Sequence, residues 1–340
     1  MFKERANIIN IVLGAILGFI IIAIIIKVIN YKGGERFEWR SGVYTRPGNT
    51  VQVAECNFFH SGYWAYPVRK DQILNSGVEN INYTENSKDN SFYPDSLKIC
   101  WFSYTERKFY EGDFLLPYRL IKDMAKELRS TTKEYSDYAK TYPDHIELYF
   151  FAELLPGGKL TVWLSDRTKY LEIGKYQAKE VKRTWEIFDD RHSDEKPDKI
   201  DIPTQVALVM DQYPHTIEVH SPESLSLRNL DVEPYNQANW HLDKEKPEIP
   251  VFKNIPKNIS FTWGNDQKEY STECYFKDGD ILSAFKRLQS LPGNNQMVLQ
   301  IKVNDTNNKV TVSLKKGSTV IDLQSRFDAE IYERVPQKED

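Results

Sequence analysis

Pro94-Asp95-Ser96-Leu97-Lys98-Ile99-Cys100-Trp101 is answered further along the chain by Pro256-Lys257-Asn258-Ile259-Ser260-Phe261-Thr262-Trp263. Each is a proline followed by an alternating run that ends on tryptophan, the period of a half-buried strand. One short match carries little, so order is what gives it force. Upstream, Thr45-Arg46-Pro47-Gly48-Asn49-Thr50-Val51-Gln52-Val53 lines up with Gln212-Tyr213-Pro214-His215-Thr216-Ile217-Glu218-Val219, each a proline turn before an alternating run, the strand-turn-strand signal of a hairpin. Downstream, Gly112-Asp113 leads to apolar Leu120, Ile121, Met124 and Leu128. Gly279-Asp280 leads to Ile281, Leu282, Phe285 and Leu288. Both sets have the 3/4 spacing of one buried helical face. Pro117 suits a first helical turn, where its missing N–H has no partner to lose.

A hairpin then follows in each half. The first joins 146–155 to 160–164 through Pro156-Gly157-Gly158, and the second joins 298–303 to 310–314 through 304–308. An amphipathic stretch closes each half, at 170–188 and 320–333. A charged, proline-bearing linker, 189–201, lies between them. The expected fold is α+β: two tandem β-rich domains, 37–188 and a divergent copy at 202–335. Each is an antiparallel sheet with one packed helix, and one transmembrane helix precedes them.

That helix is read from the N-terminus. Between Ile8 and Ile26 only Asn10 is polar. The run spans roughly 28 Å as a helix, close to the hydrocarbon thickness of a bilayer. It is long for a signal-peptide core, and Lys27-Val28-Ile29-Asn30 offers no small-residue cleavage site. The expectation is an uncleaved, single-pass anchor over residues 1–30. Lys3 and Arg5 precede it, whereas Lys27, Lys32, Arg36 and Arg40 follow, so charge alone does not place the remainder outside. Gly14 and Gly18 form a G-x-x-x-G pair through which two spans can pack as a homodimer.

At 28% charged, 40% hydrophobic and net charge −4, the chain of 340 residues reads as globular. It carries no basic stripe, which argues against nucleic acid as a partner. Cys56, Cys100 and Cys274 form no C-x-x-C pair. Cys100 lies in an alternating run with only Lys98 as a nearby cation, so it is expected to be structural rather than reactive. His215 and His220, five apart on a strand, face opposite sides and share no metal. Glu106 and Glu111 flank Phe109-Tyr110, with Glu269 and Glu273 as their counterparts, but strand spacing does not converge them on a cleft. No G-x-S-x-G, H-E-x-x-H or glycine-rich phosphate loop occurs. Catalytic, cofactor and metal residues are therefore not expected.

The segment from Phe58 to Pro67 stands apart. Phe58, Phe59, His60, Tyr63, Trp64 and Tyr66 alternate with turn residues, whereas the stretch in its place in the second half, 236–250, is charged and proline-bearing. Exposed Tyr and Trp are frequent interface anchors. An aromatic cluster serving only a shared fold would recur in both halves. Phe58, Phe59, Tyr63, Trp64 and Tyr66 are therefore the expected surface for a protein partner.

The run Trp101-Phe102-Ser103-Tyr104-Thr105-Glu106-Arg107-Lys108-Phe109-Tyr110, then Phe114-Leu115-Leu116-Pro117, resembles the domain-of-unknown-function family 2931. So does Leu155-Pro156-Gly157-Gly158-Lys159-Leu160-Thr161-Val162-Trp163-Leu164. The resemblance covers roughly 37–188. The second half keeps Trp263 and Lys309-Val310-Thr311-Val312 but lacks the Phe-Tyr and Leu-Pro signatures. This family is typical of bacterial envelope proteins, often lipoproteins, and has no assigned catalytic residues. The resemblance implies a soluble region on the periplasmic side of the inner membrane. The expected function is a non-enzymatic envelope binding protein, in one form an immunity-type protein that neutralises a toxin. The alternative is an envelope hydrolase that gathers Glu106, Glu111 or His220 in one cleft.

Overall fold

The computed structural model describes residues 2–29, 36–61, 68–84, 88–135, 148–188, 201–236, 239–243, 248–325 and 330–334. Helix α1 (Phe2–Ile29) opens the chain. Among the described residues no helix is long and apolar enough to cross a membrane. The expected transmembrane helix is therefore not established by the fold.

The first half holds β1 (Arg36–Thr45), β2 (Val51–Phe59), β3 (Ile73–Leu74), β4 (Asn82–Tyr83), β5 (Lys88–Phe92), β6 (Ser96–Ser103) and β7 (Lys108–Leu115). Helix α2 (Tyr118–Tyr135) follows, then β8 (Leu148–Leu155), β9 (Lys159–Ser165), β10 (Tyr170–Gln177) and β11 (Lys179–Val181). These strands form sheet I, ordered β10-β9-β8-β1-β4 with β5 also on β1, and sheet II, ordered β11-β7-β6-β2-β3. The second half opens with α3 (Ile202–Met210), β12 (His215–His220), β13 (Ser226–Pro234), β14 (Trp240–His241), β15 (Pro256–Gly264) and β16 (Glu269–Tyr275). It closes with α4 (Asp278–Gln289), β17 (Met297–Val303), β18 (Val310–Lys316), β19 (Thr319–Leu323) and β20 (Tyr332–Arg334). Sheet III runs β12-β17-β18-β19 and sheet IV runs β14-β13-β15-β16-β20.

Sheet III repeats the path β1-β8-β9-β10, and sheet IV repeats β3-β2-β6-β7-β11. The agreement reaches single residues. Trp101 lies between Val53 and Tyr110, and Trp263 between Leu227 and Tyr270. Each tryptophan ring meets its tyrosine, at 5.4 and 5.6 Å between centroids. The neighbouring strand bulges one step on, at Val53/Glu55 and at Leu227/Asn229.

Four readings need correction. Each half has two sheets rather than one, and they are not wholly antiparallel: β1 runs parallel to β8, and β12 parallel to β17. The turn at Pro47-Gly48 is not a hairpin. Its Asn49 donates through Nδ2 to Leu154 O at 3.2 Å on sheet I, and β2 then starts sheet II, so the turn is a corner between sheets. The upstream match also slips by one strand, because Gln212–Val219 leads into β12, whose partner β17 makes it the counterpart of β1 rather than of β2. Pro214 precedes its strand, whereas Pro47 follows one. Finally, the register pairs Glu111 with Cys100 and Ser271 with Thr262, so Glu111 answers to Ser271 and Asp113 to Glu273.

The core of the first half fills the space between the inward faces of sheets I and II, with Trp39, Val43, Phe58, Leu97, Ile99, Trp101, Phe150 and Leu154 among its members. Ile121, Ala125 and Leu128 of α2 join it, while Leu120 turns outward. In α4, all four residues at the expected spacing are buried. Helix α3 was not foreseen. Asp201 caps it, accepting from Thr204 N at 2.8 Å, and Pro203 sits in its first turn. Its Val206 and Val209 pack on Phe102, Tyr104, Phe109 and Trp185, on the outward face of sheet II. Gln205 and Tyr235 both donate to Asp278 at the start of α4, at 3.0 and 2.5 Å. The layers thus run sheet I, sheet II, α3, second half.

Candidate functional site

At one end of sheet II, Phe58, Leu97 and Phe114 form a cross-strand row, and Phe59, Ser96 and Leu115 form the next. Side chains alternate along a strand, so the two rows face opposite ways. Phe58 is fully buried in the core, its ring 6.0 Å from Phe150. Phe59 is half-buried, and Leu115 is 84% exposed. The expected partner surface therefore divides: Phe58 is padding and Phe59 faces out. Tyr63, Trp64 and Tyr66 lie outside the described residues. Leu115 was missed. Its signal was Leu115-Leu116 at a strand end, where Leu116 is buried in the core and Leu115 is left outside.

His60 and Asp95 close this end. His60 Nδ1 is 3.0 Å from Tyr93 O and 3.3 Å from Asp95 Oδ2. Both are acceptors, so Nδ1 is the donor in these contacts. The imidazole lies against Phe92 and Tyr118, at 4.9 and 5.2 Å between centroids. Asp95 Oδ1 accepts from Ser96 Oγ at 2.8 Å and from the backbone N–H of Ser61 at 3.3 Å. Ser61 has φ +49°, a left-handed conformation uncommon outside glycine, where the chain turns into the aromatic segment. The equivalent row of the second half is Glu233, Asn258 and Tyr275, and it presents no aliphatic side chain.

The other candidates have structural partners. Glu106 accepts from the backbone N–H of Gly157 at 3.0 and 3.1 Å and from Tyr110 Oη at 3.2 Å. It ties the β6–β7 turn to the Pro156-Gly157-Gly158 turn. Glu111 pairs with Arg183. Glu269 pairs with Arg334 at 3.4 Å. His215 points into the core, whereas exposed His220 sits 3.4 Å from Glu218. All three cysteines are buried and free of disulfides. Burial, with Glu111 adding to it, pushes the Cys100 thiol up to about 12, and burial pushes Cys274 to about 12 as well. Neither is a thiolate near neutral pH. Among the described residues no group of three His, Cys, Asp or Glu is placed to hold a metal ion.

A second aromatic cluster went unread in the sequence, and its Tyr44, Tyr149 and Phe151 are buried. On the outward face of sheet I, Tyr44, Tyr149 and Phe151 cluster with Ile81, Tyr83 and Trp163. In their midst Glu153, itself buried, accepts from Trp163 Nε1 at 3.0 Å and from Arg46 Nε at 2.5 Å. Arg167 sits 4.5 Å over the Tyr149 ring. The signal was present in Leu148-Tyr149-Phe150-Phe151-Ala152-Glu153, which is apolar on both faces of its strand.

Comparison with protein families matches residues 27–221 to DUF2931, described as a protein of unknown function. The match runs past the first half, through α3, to the end of β12. No curated protein and no solved structure matches the chain.

Proposed function

The chain belongs to the DUF2931 family, and from that premise we propose that it is a membrane-anchored, non-enzymatic interaction protein of the bacterial cell envelope, holding a protein partner on the Phe59–Leu115 patch. The observation that carries the reading is Leu115, 84% exposed at the end of a paired strand. It shares an outward row with Phe59 at the mouth of the aromatic segment, where the second half has Tyr275 and Glu233. An exposed leucine beside aromatic rings, rimmed by His60 and Asp95, has the make-up of an interface core with a polar rim.

The anchor reading is part of the proposal. Its support is the apolar run from Ile8 to Ile26 within α1, whose described large side chains from Val12 to Ile26 are all exposed. On this reading the span lies in the inner membrane, the folded region is periplasmic, and the halves divide at 189–201. Neutralisation of a toxin is one form of such binding. The hydrolase alternative needs Glu106, Glu111 or His220 to converge, and each has its own separate partner.

The test is recovery of partner proteins from native membranes with the full-length chain. Leu115→Asp should leave the melting temperature unchanged and cut recovery about tenfold or more, since loss of a central interface anchor costs about 2 kcal/mol or more. Undiminished recovery of the same partners by Leu115→Asp would remove the patch from the reading.

A further inference from the structure

We propose that the partner held at the Phe59–Leu115 patch docks as an extended segment along the open edge of β7, with a lysine or arginine beside Asp113 and an apolar residue two positions away beside Leu115. The proposal deepens the binding reading above and rests on it. The edge is the first observation. Strand β7 runs from Lys108 to Leu115, yet β11 pairs with it only at Phe109, Tyr110 and Glu111. Among the described residues no hydrogen bond reaches the outer edge of 112–115. Alternate residues of an antiparallel strand turn their N–H and C=O to opposite neighbours, so half of these backbone groups face β6 and half are left open. An unpaired edge is a template for one more strand.

The second half shows that the shared plan closes this edge. There β20 pairs with Glu269, Tyr270 and Ser271, the counterparts of 109–111. The chain between β19 and β20 then meets the rest of β16. Thr272 Oγ1 donates to Glu330 O at 2.8 Å, Ser325 Oγ donates to Tyr275 O at 3.1 Å, and Ser325 bridges to Phe276. In the first half β10 ends at Gln177 and β11 starts at Lys179, so Ala178 alone joins them and no length is left to cover 112–115. Burial follows: Thr272 and Cys274 are buried, whereas Gly112 and Phe114 in their places are half-buried.

Charge and alternation identify the occupant. Asp113 and Leu115 share the outward face of sheet II. Leu115 is 84% exposed, and Asp113 is exposed with no ion pair among the described residues. Its cross-strand neighbour Lys98 is instead 3.0 Å from Glu55. A strand laid on the edge sets its own same-face residues beside Asp113 and Leu115, and a cation beside Asp113 makes the favourable pair. A second copy of the chain fits worse. Within 112–115 it offers that face only Asp113 and Leu115, and neither neutralises Asp113.

The test measures retention of the full-length chain in detergent on three immobilised short alternating peptides. One carries Lys and Leu two positions apart, one has Glu in place of Lys, and one is the Lys peptide N-methylated at its central amides, which then cannot donate. The expected result is retention on the Lys peptide about two- to fivefold above the Glu peptide, and its loss on N-methylation. Asp113→Lys should reverse the preference at an unchanged melting temperature; if that variant melts early, Asp113→Asn should abolish the preference. Equal retention on the Lys and Glu peptides, retention on the N-methylated peptide, or a preference that survives both Asp113 variants overturns the proposal. Dimers of the full-length chain that break on Leu115→Asp assign the edge to a second copy and overturn it as well. In each of these cases the patch reading stands if Leu115→Asp still cuts recovery of partners from native membranes, and falls with the proposal if it does not.

Discussion

His215 is fully buried, and its Nδ1 lies 2.7 Å from Tyr213 O, so that nitrogen donates and Nε2 is left without a hydrogen-bond partner. Burial lowers its pKa from 6.5 to about 4. The unfolded chain takes up this proton near 6.5 and the folded chain only near 4. Stability attributable to His215 is therefore complete above pH 6.5 and is lost as pH falls towards 4, by about 3 kcal/mol in all. Denaturant unfolding of the wild type and of His215→Leu at pH 7, 5.5 and 4 should show this component in the wild type alone. Equal slopes would contradict it. The buried thiols make a similar prediction: the folded protein should not react with a thiol reagent at pH 7.5, and Cys100→Ser should keep partner capture at some cost in stability. Alternation made the structural role of Cys100 legible, because strand period alone sets inside and outside. It did not separate Phe58 from Phe59. That choice depends on where the β2 bulge at Val53/Glu55 shifts the register, which sequence period does not encode.

At the scale of elements, the Leu155-Pro156-Gly157-Gly158 signature has a geometric reason. Gly157 and Gly158 have φ of +75° and +74°, and a Cβ on Gly158 would meet Tyr110 Cδ1 at 2.6 Å. The turn packs on the tyrosine whose hydroxyl, with the Gly157 N–H, holds Glu106. Gly158→Ala should cost about 2 kcal/mol through left-handed strain before the contact with the ring is added. A melting temperature equal to wild type would refute that account. The second half ties its hairpin differently, with Trp263 Nε1 donating to Asn307 Oδ1 at 2.7 Å, which explains why the glycine signature is absent there. The hairpins and α4 were legible because period and turn chemistry agree. Helix α3 was not, because nine mostly apolar residues have no clear period. The Pro47-Gly48 corner was misread because a turn's sequence does not say which sheet receives the next strand. Val206→Asp should open the contact of α3 with Phe102 and Trp185 and lower the melting temperature. An unchanged melting temperature would mean that α3 does not hold the halves together.

The whole molecule is one strand plan used twice and elaborated once. Shared features, such as Trp101 on Tyr110 and Trp263 on Tyr270, belong to the fold. Features present only in the first half are the place to look for function: the Phe59–Leu115 patch, the aromatic segment beyond Ser61, and the open edge of β7. Trp64→Ala separates the two roles. If Trp64 is a contact residue, capture weakens at an unchanged melting temperature. If it is core padding, the protein melts earlier by the roughly 3–5 kcal/mol of a buried aromatic, and what survives still captures. The most direct measurement of the central claim is site-specific photo-crosslinking in native membranes, with a photoreactive residue at Leu115 or, as its counterpart, at Tyr275. The account predicts a discrete crosslinked protein species from position 115 and none from 275. Crosslinking from 275 alone, or from neither position while partner capture persists, would contradict it.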